Sequence, residues 1–175
     1  MNAMLRTASG RVIDVANPRV TDIRIEDIAK GLATQTRFCG QLKPGIWHYS
    51  IAQHCVIMSR VVAPEYALQA LLHDAPEAYI HDVTRNFKRA LGEAYAGYEQ
   101  VMAEAITEAF GVDVVTLSEA VKVADRRMYA TEALQLQANA QVGYEPYDMQ
   151  IVPVTAFEAY ELFQRRWEQL TGETF

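Results

Sequence analysis

Two cysteines in 175 residues, Cys39 and Cys55, are too few for a disulfide framework, so apolar burial has to hold the fold. No apolar run reaches the length that spans a bilayer and no signal-peptide pattern opens the chain, so the expected compartment is the cytoplasm, with no membrane partner. Basic residues are the minority. Sixteen Lys and Arg against 22 Asp and Glu give a net charge of −6, which argues against broad binding to a nucleic-acid polymer or an anionic membrane. A small anionic ligand, by contrast, needs only local positive charge. Internal repeats, low-complexity stretches and linkers are absent, and half of the residues are hydrophobic, enough for one sizeable core and short for two. One domain is expected over 1–175, with a hairpin at about 5–16 and a helical body at about 24–170.

What the chain has is a concentration of histidine. All four, His48, His54, His73 and His81, fall between positions 48 and 81, and His73 is followed directly by Asp74. His54 lies in SIAQHCVIMSRVV and His73-Asp74 in APEYALQALLHDAPEAYIHD, both helical in pattern, with Pro64 between them. Proline is tolerated in the first turn of a helix and not inside one, so the first helix should stop near Val62 and the second start at Pro64 or Glu65. His54 and His73 are equidistant from that turn, and at about 1.5 Å per residue they should sit at similar heights on antiparallel helices.

A further acid comes from TLSEAVKVADRRMYATEALQL, where Leu117, Val121, Ala124, Asp125 and Met128 follow one apolar stripe. A carboxylate at such a core position must be protonated, paired with a cation such as Arg126 or Arg127, or bound to a metal. Imidazole and carboxylate together suit one divalent ion, with manganese, iron, cobalt, nickel, zinc and magnesium as the candidates.

The remaining text reads as an all-α body. LRTASGRVIDVANP has β-branched residues around Ser9-Gly10, the pattern of a short hairpin. IRIEDIAKGLATQTRF is expected to be a helix with Arg37 near its end. Ser50 to Gln53 and Thr116 to Glu119 have the form of capping boxes. YAGYEQVMAEAITEAFG should end at Gly111 and VTAFEAYELFQRRWEQLTG at Gly172. Met102, Ile106 and Phe110 form a stripe suited to a core or an oligomer interface. Glu77 follows His73 by one helical turn and should project from the same face, although Pro76 should kink or end that helix.

In order, His54, His73-Asp74 and Asp125 resemble the H…HD…D pattern of the HD-domain metal-dependent phosphohydrolases. The text ALLHDAPEAYIHDV, with Lys88 after it and Arg37 before it, is similar to the subgroup that contains the bacterial 5′-deoxynucleotidases and some phage-encoded deoxynucleotide triphosphohydrolases. The resemblance runs from about Ile25 to about Leu136. It implies a compact HD-domain helical bundle, one metal ion held by His54, His73, Asp74 and Asp125, and Glu77 and Asp82 as the acids that orient or deprotonate the attacking water. Arg37 and Lys88 match basic positions that bind phosphate, the arginine as a planar fork and the lysine as a point charge. Related enzymes associate, so a homo-oligomer is expected.

Two departures leave base and sugar selectivity open. Arg37 is followed by Phe38 where many relatives have Trp, and the loop Val83-Thr84-Arg85-Asn86 lacks the prolines often found there. Phe38, Trp47, Thr84 and Asn86 are the candidate pocket residues; Trp47 would either stack on a base or pack. His48 would line the pocket or lie on the surface. His81 could recruit a second metal, but no His-His pair follows downstream, so the site is expected to be mononuclear.

The implied reaction is hydrolysis of a deoxynucleoside 5′-monophosphate to deoxynucleoside and phosphate. The alternative reaction is release of triphosphate from a deoxynucleoside triphosphate, with Arg85, Arg89, Arg126 and Arg127 as further cations. From another class, the chain would be a non-catalytic nucleotide-binding regulatory module. Alarmone or cyclic-dinucleotide hydrolysis ranks below these, because the additional motifs of those subgroups are not visible.

Overall fold

In the computed structural model, which describes residues 3–175, a short hairpin precedes an all-α body. The first two residues of the expected domain lie outside the described ones. Strands β1 (Met4–Arg6) and β2 (Val12–Asp14) pair antiparallel with Leu5 opposite Ile13. Ile13 is buried, and Asp27 of α1 (Ile25–Thr34) accepts from both the amide and the hydroxyl of Ser9 at 2.7 Å. The turn is thereby tied to the first helix. α1 itself is apolar on one side, with Ile25, Ile28, Ala29, Leu32 and Ala33 buried.

Helix α2 (Ile51–Val61) is the centre of the molecule. Ser50 caps it by accepting from the Gln53 amide, and from Ile51 to Ser59 all but Ile57 are buried. A helix buried on nearly every side is a core element, and α2 packs against α1, α3 (Ala67–Leu72), α7 (Glu119–Leu136) and α8 (Ala156–Thr171). Its amino-terminal half joins one apolar cluster with Leu32, Leu71, Ile106 and Phe163, and Met58 joins a second with Tyr49, Val121 and Met128. Fully burying side chains of this size contributes about 1.5–3 kcal/mol each. Met102 and Ile106, on α6 (Glu93–Phe110), are fully buried in the first cluster, with Phe110 packed against it, so that stripe is core.

The helical hairpin around Pro64 forms as expected, with α2 ending at Val61 and a 3-10 turn at Pro64–Tyr66 before α3. The kink or end expected at Pro76 takes the form of a break in the helical segment that runs from Pro64 to the second His-Asp. α3 ends at Leu72, a run of turns follows, and α4 is only Glu77–Ile80. Pro76 has no N–H to donate, so the chain tightens into bonds such as Ala75 N to Leu72 O and Glu77 N to Asp74 O. α4 lies against α1 at Gly31, where a Cβ would come within 2.8 Å of the Ala78 carbonyl oxygen. Only glycine permits that approach.

Other boundaries differ from the sequence pattern. α1 stops at Thr34, leaving Arg37 in a separate turn, Arg37–Gly40, where Phe38 and Cys39 have φ of 57° and 50°. The cap of α7 is Ser118, which accepts from the Val121 amide; Thr116 lies outside the helix, and its amide donates to Asp113. The full capping box belongs to α8, between Thr155 and Glu158. Arg85–Leu91, expected as loop in its first part, forms α5. Among the described residues, no helix is long and apolar enough to cross a membrane.

Candidate metal centre

Three helical elements bring the sequence-predicted ligands together. His54 comes from the buried middle of α2, His73-Asp74 from the end of α3 and Asp125 from α7. The His54 and His73 Nε2 atoms are 3.4 Å apart. Asp74 places Oδ1 3.3 Å from His73 Nε2 and Oδ2 3.7 Å from His54 Nε2. Asp125 Oδ1 lies 3.5 Å from His54 Nε2 and 3.9 Å from His73 Nε2. Donors that each bind one ion at about 2.0–2.2 Å must stand about 3–3.6 Å apart, so these separations are on the scale of a shared cation. The group His54, His73 and Asp74 could hold a metal ion. Asp125 is not in the core position its stripe suggested: its side chain is 34% exposed, at the rim of the cluster, while Val121, Ala124 and Met128 beside it are buried.

The outer hydrogen bonds of the two histidines support that reading. His73 Nδ1 donates to the Ala70 carbonyl at 2.8 Å, and His54 Nδ1 donates to Glu132 Oε1 at 2.6 Å. Each bond fixes a tautomer that aims Nε2 at its neighbours, as metal-bound histidines do. Glu132 was not singled out in the sequence. It is fully buried on α7, accepts from the Tyr49 hydroxyl at 2.6 Å, and has Oε2 3.0 Å from Arg37 Nε, at an angle too poor for a hydrogen bond. Its signal was available: it follows Asp125 by seven residues, two turns along the same face.

Charge reinforces the geometry. Burial and Arg37 oppose protonation of His54, yet Glu132 and Asp125 outweigh them and raise its pKa to about 9. Burial would raise the Asp125 carboxyl, but hydrogen bonding and charge from His54, with His73 and Arg37, hold it far below the usual carboxylate range. Glu132 is likewise lowered, because Arg37 and His54 overcome its burial. The cluster therefore favours positive charge at its centre.

Glu77 and Asp82 stand beside this group. Burial, followed by Asp74 and Asp82, pushes Glu77 well above its ordinary value, with Lys88 and Arg37 opposing. Lys88 Nζ is 3.1 Å from Glu77 Oε1, while Glu77 Oε2 is buried and takes no hydrogen bond from the protein. Asp82 is raised by burial, against the charges of Arg37, Lys88 and His54. Both expected phosphate binders are engaged: Arg37 Nη1 lies 3.4 Å from Asp74, and Lys88 also binds Glu99 at 2.7 Å.

None of the four candidate pocket residues is buried. Phe38 packs against Tyr129, with ring centroids 6.1 Å apart, and lies against the Arg37 guanidinium. Trp47 is 91% exposed, which rules out a packing role, and Thr84 and Asn86 are exposed. His48 is structural, accepting from Thr36 Oγ1 at 2.7 Å and donating to the Ala33 carbonyl at 2.9 Å. His81 is exposed.

No protein-family profile matches the chain. It is 34% identical to the uncharacterized protein YfdR of Escherichia coli (strain K12), over 97% of this chain and 96% of that protein. It is also 35% identical to an uncharacterized protein of Rhodobacter capsulatus, over 77% of this chain and 73% of that protein. At this identity over nearly the full length of both chains, the protein belongs to the family of YfdR.

Proposed function

We propose that the protein is an HD-type, metal-dependent phosphohydrolase of small nucleotides, acting on deoxynucleoside 5′-monophosphates. The observation that carries this reading is the convergence of His54, His73, Asp74 and Asp125, from three helices, beside a buried carboxylate with one oxygen free of protein partners, Glu77. A divalent ion held by those four residues would polarise a phosphate oxygen and lower the pKa of a water.

The protein's own groups divide the rest of the work. Glu77 Oε2 takes the proton of the attacking water as the new P–O bond forms and the bond to the 5′ oxygen breaks; that proton then passes to the departing oxygen. Its raised pKa keeps Glu77 a better base than a solvated carboxylate. Lys88 neutralises Glu77 before the substrate arrives and pairs with phosphate afterwards. Arg37 adds fixed positive charge behind Asp74. Asp82 orients the water from the other side of the turn.

Of the four further cations a triphosphate could use, Arg85 and Arg89 are exposed on α5, whereas the other two are committed elsewhere. Arg126 is paired with Glu119 at 2.6 Å, and Arg127 donates to the Glu145 and Pro146 carbonyls and lies on the Tyr147 ring. Neither is poised for a phosphate tail. The test is product analysis over deoxy- and ribonucleoside mono- and triphosphates with manganese, cobalt, zinc or magnesium. Free phosphate from deoxynucleoside monophosphates is the expected result. Inorganic triphosphate would replace this reading with the triphosphohydrolase, and nucleotide-dependent stabilisation without product would replace it with a binding module.

A further inference from the structure

The two acids of the site lie on either side of a strained reversal. After α4, His81 has φ 70° and ψ 150°, a region that is essentially glycine's. A histidine persists there only if its surroundings over-determine it. Three contacts do so. Gln35, just past the end of α1, donates from Nε2 to the Glu77 carbonyl at 2.8 Å and accepts at Oε1 from the Asp82 amide at 3.1 Å. The Tyr95 hydroxyl donates to the His81 carbonyl at 2.8 Å.

One side-chain amide thus adds a second bond to the Glu77 carbonyl, which already accepts from the His81 amide at 2.9 Å, and satisfies the Asp82 N–H, which the end of a four-residue helix leaves without a regular partner. It spans the reversal from the Glu77 backbone to the Asp82 backbone. Gln35 makes no hydrogen bond to His54, His73, Asp74 or Asp125; its bonds go to the chain that carries the acids. Without that brace, His81 would be free to relax toward negative φ, and the direction of the Asp82 side chain would change with it.

We propose that the side-chain amide of Gln35 is a positioning residue, which keeps Glu77 and Asp82 aimed at the cluster by bracing the reversal at His81. This rests on the phosphohydrolase reading above.

The test uses the full chain, loaded with manganese, as wild type, Gln35→Ala, Gln35→Glu and Gln35→Ala with His81→Gly. Measurements are kcat and KM for a deoxynucleoside monophosphate, bound metal, and hydrogen exchange at the Asp82 amide. Gln35→Ala should lower kcat by about 10–100-fold, the usual scale for a supporting contact, with KM and bound metal near wild type. Asp82 exchange should quicken. Gln35→Glu retains the acceptor for Asp82 and loses the donor to Glu77, so it should fall between. Adding His81→Gly removes the strain at the reversal and should recover most of the lost kcat, which repair of a general folding defect would not explain.

An unchanged kcat in Gln35→Ala, or a loss that His81→Gly does not recover, overturns the proposal while leaving the phosphohydrolase reading intact. If wild type releases no product, that reading falls, and exchange at Asp82 decides the brace: faster in Gln35→Ala upholds it, unchanged overturns it.

Discussion

His54 stands in the middle of an eleven-residue helix that is buried almost throughout, and Asp125 on an eighteen-residue one, whereas Glu77 rides on four residues of helix and Lys88 on seven, none of the latter buried. The proposed ligands are therefore carried by long helices packed into the core, and the proposed acid-base groups by a strap laid across them. Burial of Met58, Met128 and Tyr49 near the ligands means that moving the cluster requires repacking the interior. Moving the strap requires breaking the polar contacts of Gln35, Lys88 and Tyr95 and lifting Tyr79, with Ala78 and Ile80 beside it, from the edge of the first apolar cluster. Metal retention and turnover should accordingly fail separately.

The largest effect expected is at the junction. Asp74→Ala removes a carboxylate that touches both histidines and Arg37, so bound metal and phosphate release should disappear together. Metal analysis beside a phosphate assay checks this, and retained metal with retained turnover would break the division at its strongest point. Gly31→Ala attacks the strap alone. The new Cβ meets the Ala78 carbonyl at 2.8 Å, backbone against side chain, so α4 must shift. A displacement of about 1 Å in a reacting group can cost about 10²-fold in rate, and that loss should appear with metal content unchanged.

Glu132→Gln reverses the pattern. Weakening the carboxylate behind His54 Nδ1 should lower metal affinity by about 10–100-fold, while turnover at saturating metal stays close to wild type. Competitive metal titration reads it. The smallest effect expected is a displacement of a pH profile. Lys88 opposes the raised pKa of Glu77, so in Lys88→Met the Glu77 carboxyl should rise further. A base must be ionised to act, and the acid limb of the kcat profile should move to higher pH, with no change in metal affinity.

The convergence of His54, His73 and Asp74 was readable in the sequence because its physics is local and periodic. Pro64 marks the hairpin, equal spacing sets His54 and His73 at one height, and the Val121, Ala124, Met128 stripe fixes which side of α7 faces inward. The strap was not readable to the same degree. Its course depends on Pro76, on a positive φ at a histidine and on Gln35 reaching across more than forty residues, and no period encodes these. Glu132 falls between the two: its spacing from Asp125 is helical, but its partners, Tyr49 and Arg37, come from the segment before α2. Thr116 was the better match to a capping pattern, yet Ser118 caps α7, because Asp113 already holds the Thr116 amide in a turn.

The most direct test of the account is Glu77→Gln, assayed with wild type for bound metal and for phosphate released from deoxynucleoside monophosphates. Full metal occupancy is expected in both proteins, with a loss in the variant of about 10²–10⁴-fold in kcat, the scale of a general base. Full turnover by Glu77→Gln, or metal-loaded wild type that releases no phosphate, would contradict it.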